Sequence, residues 1–209
     1  PFQYPHSDWG DAVHMIGPCD LDPPSALPDD RGDLHAGIDR PIVLVTSSSE
    51  QQSDLSLIDA ALIALADEPV HVVATLPAGR AQDAVATPNS TVTQFVPHGL
   101  VLERAVCAIT HGGMGATQKA LARGVPVCVV PYGRDQFEVA RRVEVARCGT
   151  RLPAGRLTPA RLRTKVREAM TINFILAAFC GGLGGALAVL ALGHIEPNFS
   201  FWTTSGEFV

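Results

Sequence analysis

From residue 41 onward, short unbroken apolar runs alternate with stretches of helical periodicity, and this alternation restricts the fold more than any other feature. PIVLVT (41–46), VHVVAT (70–75), VTQFV (92–96), VCAIT (106–110) and PVCVVP (126–131) are rich in β-branched residues. Few of them alternate apolar with polar positions, so they predict strands buried on both faces rather than half-exposed ones. Between and after them, SDLSLIDAALIALADE (53–68) carries apolar residues at 55, 58, 62 and 65, the spacing of one helix face. DQFEVARRVEVARC (135–148) and LTPARLRTKVREAM (157–170) predict two further helices, the second with Thr158 as N-cap and Pro159 at its first position. Strand–helix alternation with doubly buried strands implies an α/β, Rossmann-like, doubly wound parallel sheet over residues 41–171. No internal repeat is visible.

The flanks differ in texture. Residues 1–40 are rich in Pro, Asp and Gly around one apolar island, AVHMIG (12–17), which reads as a last strand of a preceding domain followed by a linker. The start at Pro1, with no secretory pattern, suggests a piece of a longer polypeptide. Residues 172–195, INFILAAFCGGLGGALAVLALGHI, hold no Asp, Glu, Lys or Arg and form an apolar C-terminal helix, with 196–209 as a tail. As a helix this run spans ~36 Å against a bilayer core of ~30 Å. Gly181 and Gly185 form a GxxxG pair, and Arg161, Arg163, Lys165 and Arg167 precede the run. A membrane span, a buried soluble helix and a tail from a shifted reading frame all fit that texture.

Charge and cysteine usage narrow the function classes. A net charge of −5 argues against a nucleic-acid binder held by phosphate contacts, and the low aromatic content argues against stacking on single strands. The five cysteines (19, 107, 128, 148, 180) show no CxxC spacing, which points to reduced core thiols and a cytoplasmic setting. Contact with a membrane through 172–195 is compatible with that setting.

The segment THGGMGATQKALARGVP (110–126) carries the functional signal. It puts glycines between the apolar run 106–110 and a helix that ends at Gly124. At such a turn the lack of Cβ lets backbone N–H groups approach a ligand, and the helix start adds unpaired donors and partial positive charge. Phosphate is the natural guest. A dinucleotide fingerprint is a poor match, because Gln118 stands where a third small residue belongs and the turn follows a late strand. The absence of a Gly-Lys-Ser or Gly-Lys-Thr sequence excludes a P-loop.

The longer stretch HGGMGATQKALARGVPVCVVPYGRDQFEVARRV (111–143) resembles the donor-binding signature of nucleotide-sugar glycosyltransferases of the GT-B fold. That group includes UDP-glucuronosyl-, macrolide and glycopeptidolipid glycosyltransferases. The matching parts are the His-Gly-Gly turn, the Gly-Val-Pro strand entry and the Asp-Gln pair. FVPH (95–98) resembles the segment where the family binds the base, and VTSSSEQQ (45–52) resembles its first strand and serine loop.

The resemblance implies a donor-binding site for a dTDP- or UDP-linked sugar as co-substrate. In it, His111 donates to a phosphate oxygen, while Gly112, Gly113, Gly115, Ala116 and the Thr117 hydroxyl complete the cradle, with no metal required. Taken alone, His111 reads better as a satisfied buried histidine; the surrounding motif turns the reading toward phosphate. Asp135 and Gln136 are expected to hydrogen-bond sugar hydroxyls, with Asp135 doubling as a helix N-cap. Ser47 and Ser48 are expected near the diphosphate, and Val96 offers backbone groups to the base. His98 stands where the family has glutamine. Lys119 stands where the family has a ribose-binding glutamate and cannot accept those bonds, which either favours a deoxyribose donor or marks an ordinary solvent-facing lysine.

The implied function is the donor-binding domain of an inverting glycosyltransferase, moving a hexose or deoxyhexose to a lipid or natural-product hydroxyl. As this piece it is expected to be inactive. No residue is assigned as a catalytic base, since the family places that histidine in an N-terminal acceptor domain that this chain lacks. His6 and His14 match nothing catalytic. The alternative is a non-catalytic nucleotide-sugar-binding or membrane-attached remnant.

Overall fold

The computed structural model describes residues 2–4, 8–18, 37–48, 55–76 and 86–192, with the backbone alone at 172, 173, 176, 177, 188, 191 and 192. Six strands pair in parallel: β1 Ile42–Thr46, β2 His71–Thr75, β3 Ser90–Thr93, β4 Ala105–Thr110, β5 Val127–Val129 and β6 Gly149–Arg151. Their spatial order is β3-β2-β1-β4-β5-β6, a doubly wound sheet whose winding reverses between β1 and β4. The helices are α1 Leu55–Leu65, α2 His98–Leu102, α3 Met114–Ala122, α4 Gln136–Ala146 and α5 Pro159–Leu192.

The continuous apolar runs are explained by two cores. Val43 and Val45 of β1 share one with Leu57, Ile58, Leu62 and Leu65 of α1 and Leu162, Val166 and Ala169 of α5. Ile42 and Leu44 share the other with Val101 and Leu102 of α2, Ala120 of α3, and Ala140 and Val143 of α4. Successive strand residues face opposite sides, so a strand covered on both must be apolar throughout. The start of α5 is tied to the end of α1 by Arg163 Nε, which donates to the Ala64 carbonyl at 2.7 Å, and by Arg167, whose Nη2 lies 2.8 and 3.0 Å from the Glu68 carboxylate oxygens. The Arg161 N–H donates to Thr158 Oγ1 at 3.3 Å, so Thr158 caps α5 as its sequence implies.

Several expectations are corrected. Among the described residues, 12–17 form no strand and are exposed; the strand read there was assigned to a preceding domain. The strand expected at 92–96 lies at Ser90–Thr93, because Val96 fills the second core after the strand has ended. Neither β6 nor α2 was anticipated. The helix starting at Pro159 continues to Leu192 instead of ending near 170, since the sequence there contains no proline.

The chain divides into two compact units, Pro1–Met170 and Thr171–Val209. In the second, Phe174, Ile175, Phe179, Leu183, Leu187 and Leu190 are exposed. Among the described residues no helix is long and apolar enough to cross a membrane; of the run 172–195, for which a span was one of three readings, residues 193–195 lie outside the described residues. Residues 181, 182, 184 and 185 within it are glycines of little hydrophobic weight.

Candidate functional site

Four of the six described strands, including the two that meet at the winding reversal, end in a threonine hydroxyl. Thr93, Thr75, Thr46 and Thr110 are successive neighbours across β3, β2, β1 and β4. They form a polar row at the carboxyl edge, where open α/β sheets bind ligands. Because Thr46 pairs with Thr110, the loops that follow leave the sheet side by side: Ser47–Ser48 after β1 and His111–Gly113 after β4. The two segments that the sequence marked for phosphate therefore bracket the reversal point.

The glycine turn has a defined shape. Gly112 sits at φ +94°, and a Cβ there would lie 3.0 Å from Val129 Cγ1 and 3.1 Å from the Gln136 carbonyl oxygen. Only glycine meets both conditions without strain. Gly113 is the N-cap of α3 and no side chain caps that helix. The His111 ring lies over Gly113, so close that a Cβ would come 2.6 Å from Nε2; Nδ1 is buried. Gly115 is open, with nothing within 4 Å of a Cβ, and Ala116 is half-buried on the same first turn. An uncapped helix start with a histidine ring across it presents N–H donors to an anion.

Thr117 departs from expectation. It is fully buried, its hydroxyl lies 3.2 Å from the Thr110 hydroxyl, and its N–H donates to the Gly113 carbonyl at 3.1 Å. On the first turn of α3 its side chain faces the sheet rather than the loop cluster, so it supports the turn instead of lining it. Thr110 Oγ1 also accepts the Gly112 N–H at 3.1 Å. The sequence reading missed Thr110, although three of its apolar runs visibly end in threonine.

Asp135 occupies the N-cap position of α4 but does not cap it. Its backbone is already helical, at φ −75° and ψ −6°, and its exposed side chain makes no capping bond. A cap side chain reaches back from an extended residue, which this one is not. Gln136 is buried, and its Oε1 accepts the Tyr132 and Gly133 N–H groups at 2.8 and 3.0 Å. That oxygen shapes the loop from β5 to α4. Arg134 in this loop is held at φ 54°, a strained conformation for a side-chain-bearing residue.

On the other side of the reversal, Ser47 and Ser48 are buried, and Ser47 Oγ lies 3.5 Å from the Thr75 carbonyl. His98 opens α2 with Nε2 3.1 Å from Thr75 Oγ1, which places its ring at the same edge. The Val96 side chain is buried in the second core, and Phe95 beside it is half exposed. Lys119 is half-buried on α3, and Arg123 Nη1 donates to its carbonyl. His6 lies outside the described residues, and His14 is exposed. Among the described residues, no group of three or more His, Cys, Asp or Glu is placed to hold a metal ion.

Residues 59–173 match the family described as erythromycin biosynthesis protein CIII-like, C-terminal domain. The chain belongs to this family of glycosyltransferase domains. It is 34% identical over 175 residues to 4'-demethylrebeccamycin synthase of Lentzea aerocolonigenes, covering 81% of this chain and 40% of that protein. Among solved structures, the glycotransferase of kitacinnamycin aligns with TM-score 0.62 and 32% identity, over 78% of this chain and 43% of that one. Glycosyltransferase VinC in complex with dTDP aligns with TM-score 0.59 and 27% identity, over 73% of this chain and 39% of that one. The fold is that of one half of a GT-B glycosyltransferase. The chain thus spans about two fifths of the length of the curated relative and of these structures.

Proposed function

We propose that this chain is the donor-binding half of an inverting glycosyltransferase that moves a hexose or deoxyhexose from a nucleoside-diphosphate sugar to a lipid or natural-product hydroxyl. The observation that carries the reading is the His111–Gly113 turn at the winding reversal of the sheet, with the uncapped start of α3 behind it. Negative charge grows on the diphosphate as the sugar leaves. N–H groups fixed in advance at that place stabilise the leaving group without reorganising. His111 and the amides of Gly113, Gly115 and Ala116 meet this charge, and the account calls on no metal. Ser47 and Ser48 face the same diphosphate from β1, the loop 95–98 takes the base, and Asp135 with the Gln136 amide takes sugar hydroxyls. The general base and the acceptor wall belong, on this reading, to a separate acceptor-binding half. Without that half, donor is expected to bind but not to turn over, since the acceptor half supplies in-line positioning of the nucleophile, worth up to ~7–11 kcal/mol.

Calorimetric titration with dTDP and UDP tests the reading. Both are expected to bind, dTDP at least as tightly, because Lys119 offers no acceptor to a ribose 2′-hydroxyl. His111→Ala is expected to weaken binding by about 1.5–3 kcal/mol, the scale of a charge-assisted hydrogen bond, in a folded protein. Unchanged affinity in a folded variant overturns the role of His111.

A further inference from the structure

We infer that Thr110 is a positioning residue for the donor site: its buried hydroxyl latches the glycine turn to the first turn of α3 and so fixes the His111 ring. The inference rests on the donor-site reading above. Thr110 and Thr117 are both fully buried, yet each carries a polar hydroxyl to the edge of a core otherwise made of aliphatic side chains. The two buried hydroxyls lie 3.2 Å apart and share one hydrogen bond, and Thr110 Oγ1 additionally accepts the Gly112 N–H at 3.1 Å. One oxygen therefore joins three pieces of chain: the end of β4, the turn and the helix.

Gly112 is the residue that most needs such a restraint. Its φ of +94° lies in a region that glycine leaves readily, and Gly113 after it returns to φ −61°. The path between these two conformations sets the direction of the Gly113 N–H and the seat of the His111 ring over Gly113. A valine in place of Thr110 keeps the shape, but it leaves the Gly112 N–H and the Thr117 hydroxyl buried without their partner. The turn then samples other conformations, and ligand binding must restore the bound one. The latch thus acts on affinity through preorganisation, with no contact to the ligand.

The test measures dTDP affinity and melting temperature together for the 209-residue chain and four variants. Thr110→Val is expected to raise Kd about tenfold, Thr117→Val by a similar factor, and Thr110→Ser, which keeps the hydroxyl, to restore affinity. Leu62→Ala, in the core between α1 and the sheet, serves as a control that loses stability without touching the turn; its Kd is expected to stay unchanged. Binding by Thr110→Val equal to the parent chain overturns the latch while leaving the donor-site reading intact, and no binding by the parent overturns the donor site itself. A Kd that follows melting temperature across all four variants also overturns it. Residue-resolved amide exchange on the unmodified chain gives a second reading: the Gly112 N–H is expected to be protected, and exchange at the free-peptide rate contradicts the latch even if a variant fails to fold.

Discussion

The glycines of the turn after β4 and those of the helical unit are opposites, and so are the core thiols and Cys180. In the sheet unit, Gly112 and Gly113 are required by a left-handed backbone and by the approach of Val129, Gln136 and His111. In the helical unit, Gly181, Gly182, Gly184 and Gly185 meet nothing within 4 Å among the described residues, and each would accept a Cβ freely. Cys107 and Cys128 are buried between β4, β5 and the first core, whereas Cys180 is exposed. The same residue types are constrained where packing surrounds them and unconstrained where it does not. A glycine count therefore says little until the neighbours of each glycine are known.

The largest expected effect comes from breaking the constrained side. Gly112→Ala must hold a Cβ at φ +94° against tight neighbours, which is expected to cost about 2–4 kcal/mol of stability and to abolish measurable dTDP binding. Denaturant unfolding and calorimetry read the two consequences separately. An alanine variant as stable as the parent would mean that the turn is looser than described.

The buried thiols sharpen the comparison through pH. Burial pushes the Cys128 thiol up from 9.0 to about 11, and Cys107 is pushed well above its ordinary value for the same reason. A folded-state value above the unfolded one gives stability that is complete below pH 9 and is lost as pH rises toward 11. With one pKa unit worth about 1.4 kcal/mol, Cys128 alone is expected to remove roughly 2–3 kcal/mol by pH 11. Cys128→Ala should unfold less steeply with pH across that window, and parallel melting curves for the two proteins would contradict the burial. At neutral pH, alkylation should label Cys180 before either core thiol.

The smallest effect lies on the unconstrained side and has the opposite sign. Gly185→Ala in the open part of α5 is expected to increase helix content and stabilise that segment by about 0.5–1 kcal/mol, as alanine does at a free helix position. Circular dichroism on the full chain checks it. A loss of helix would show that Gly185 has a packing partner.

Much of this was legible in the sequence, and the exceptions have physical reasons. The strands that form the centre of the sheet, β1, β2 and β4, announced themselves because both faces are buried and every residue must be apolar. β6 did not, since Gly149–Arg151 is three residues long and exists by pairing with β5; a Cβ on Gly149 would collide with the Val127 carbonyl. α2 is five residues long, too short for a periodicity. The glycine turn was readable from its residues alone as a turn between a strand and a helix. Its place beside Ser47 was not, because strand order is a property of pairing between distant segments. The same holds for Thr117, where the sequence shows a hydroxyl on the right turn but not that Thr110 claims it from below.

The central claim is that the carboxyl edge between β1 and β4 holds the diphosphate of a sugar donor. The most direct measurement is a titration of the isotope-labelled chain with dTDP, followed through backbone amide resonances. The account predicts saturable shifts concentrated at Ser47, Ser48 and 111–116, with smaller ones at 95–98 for the base and none along 159–170. Shifts that spread evenly over the surface, or that gather away from the 111–116 turn, would contradict it.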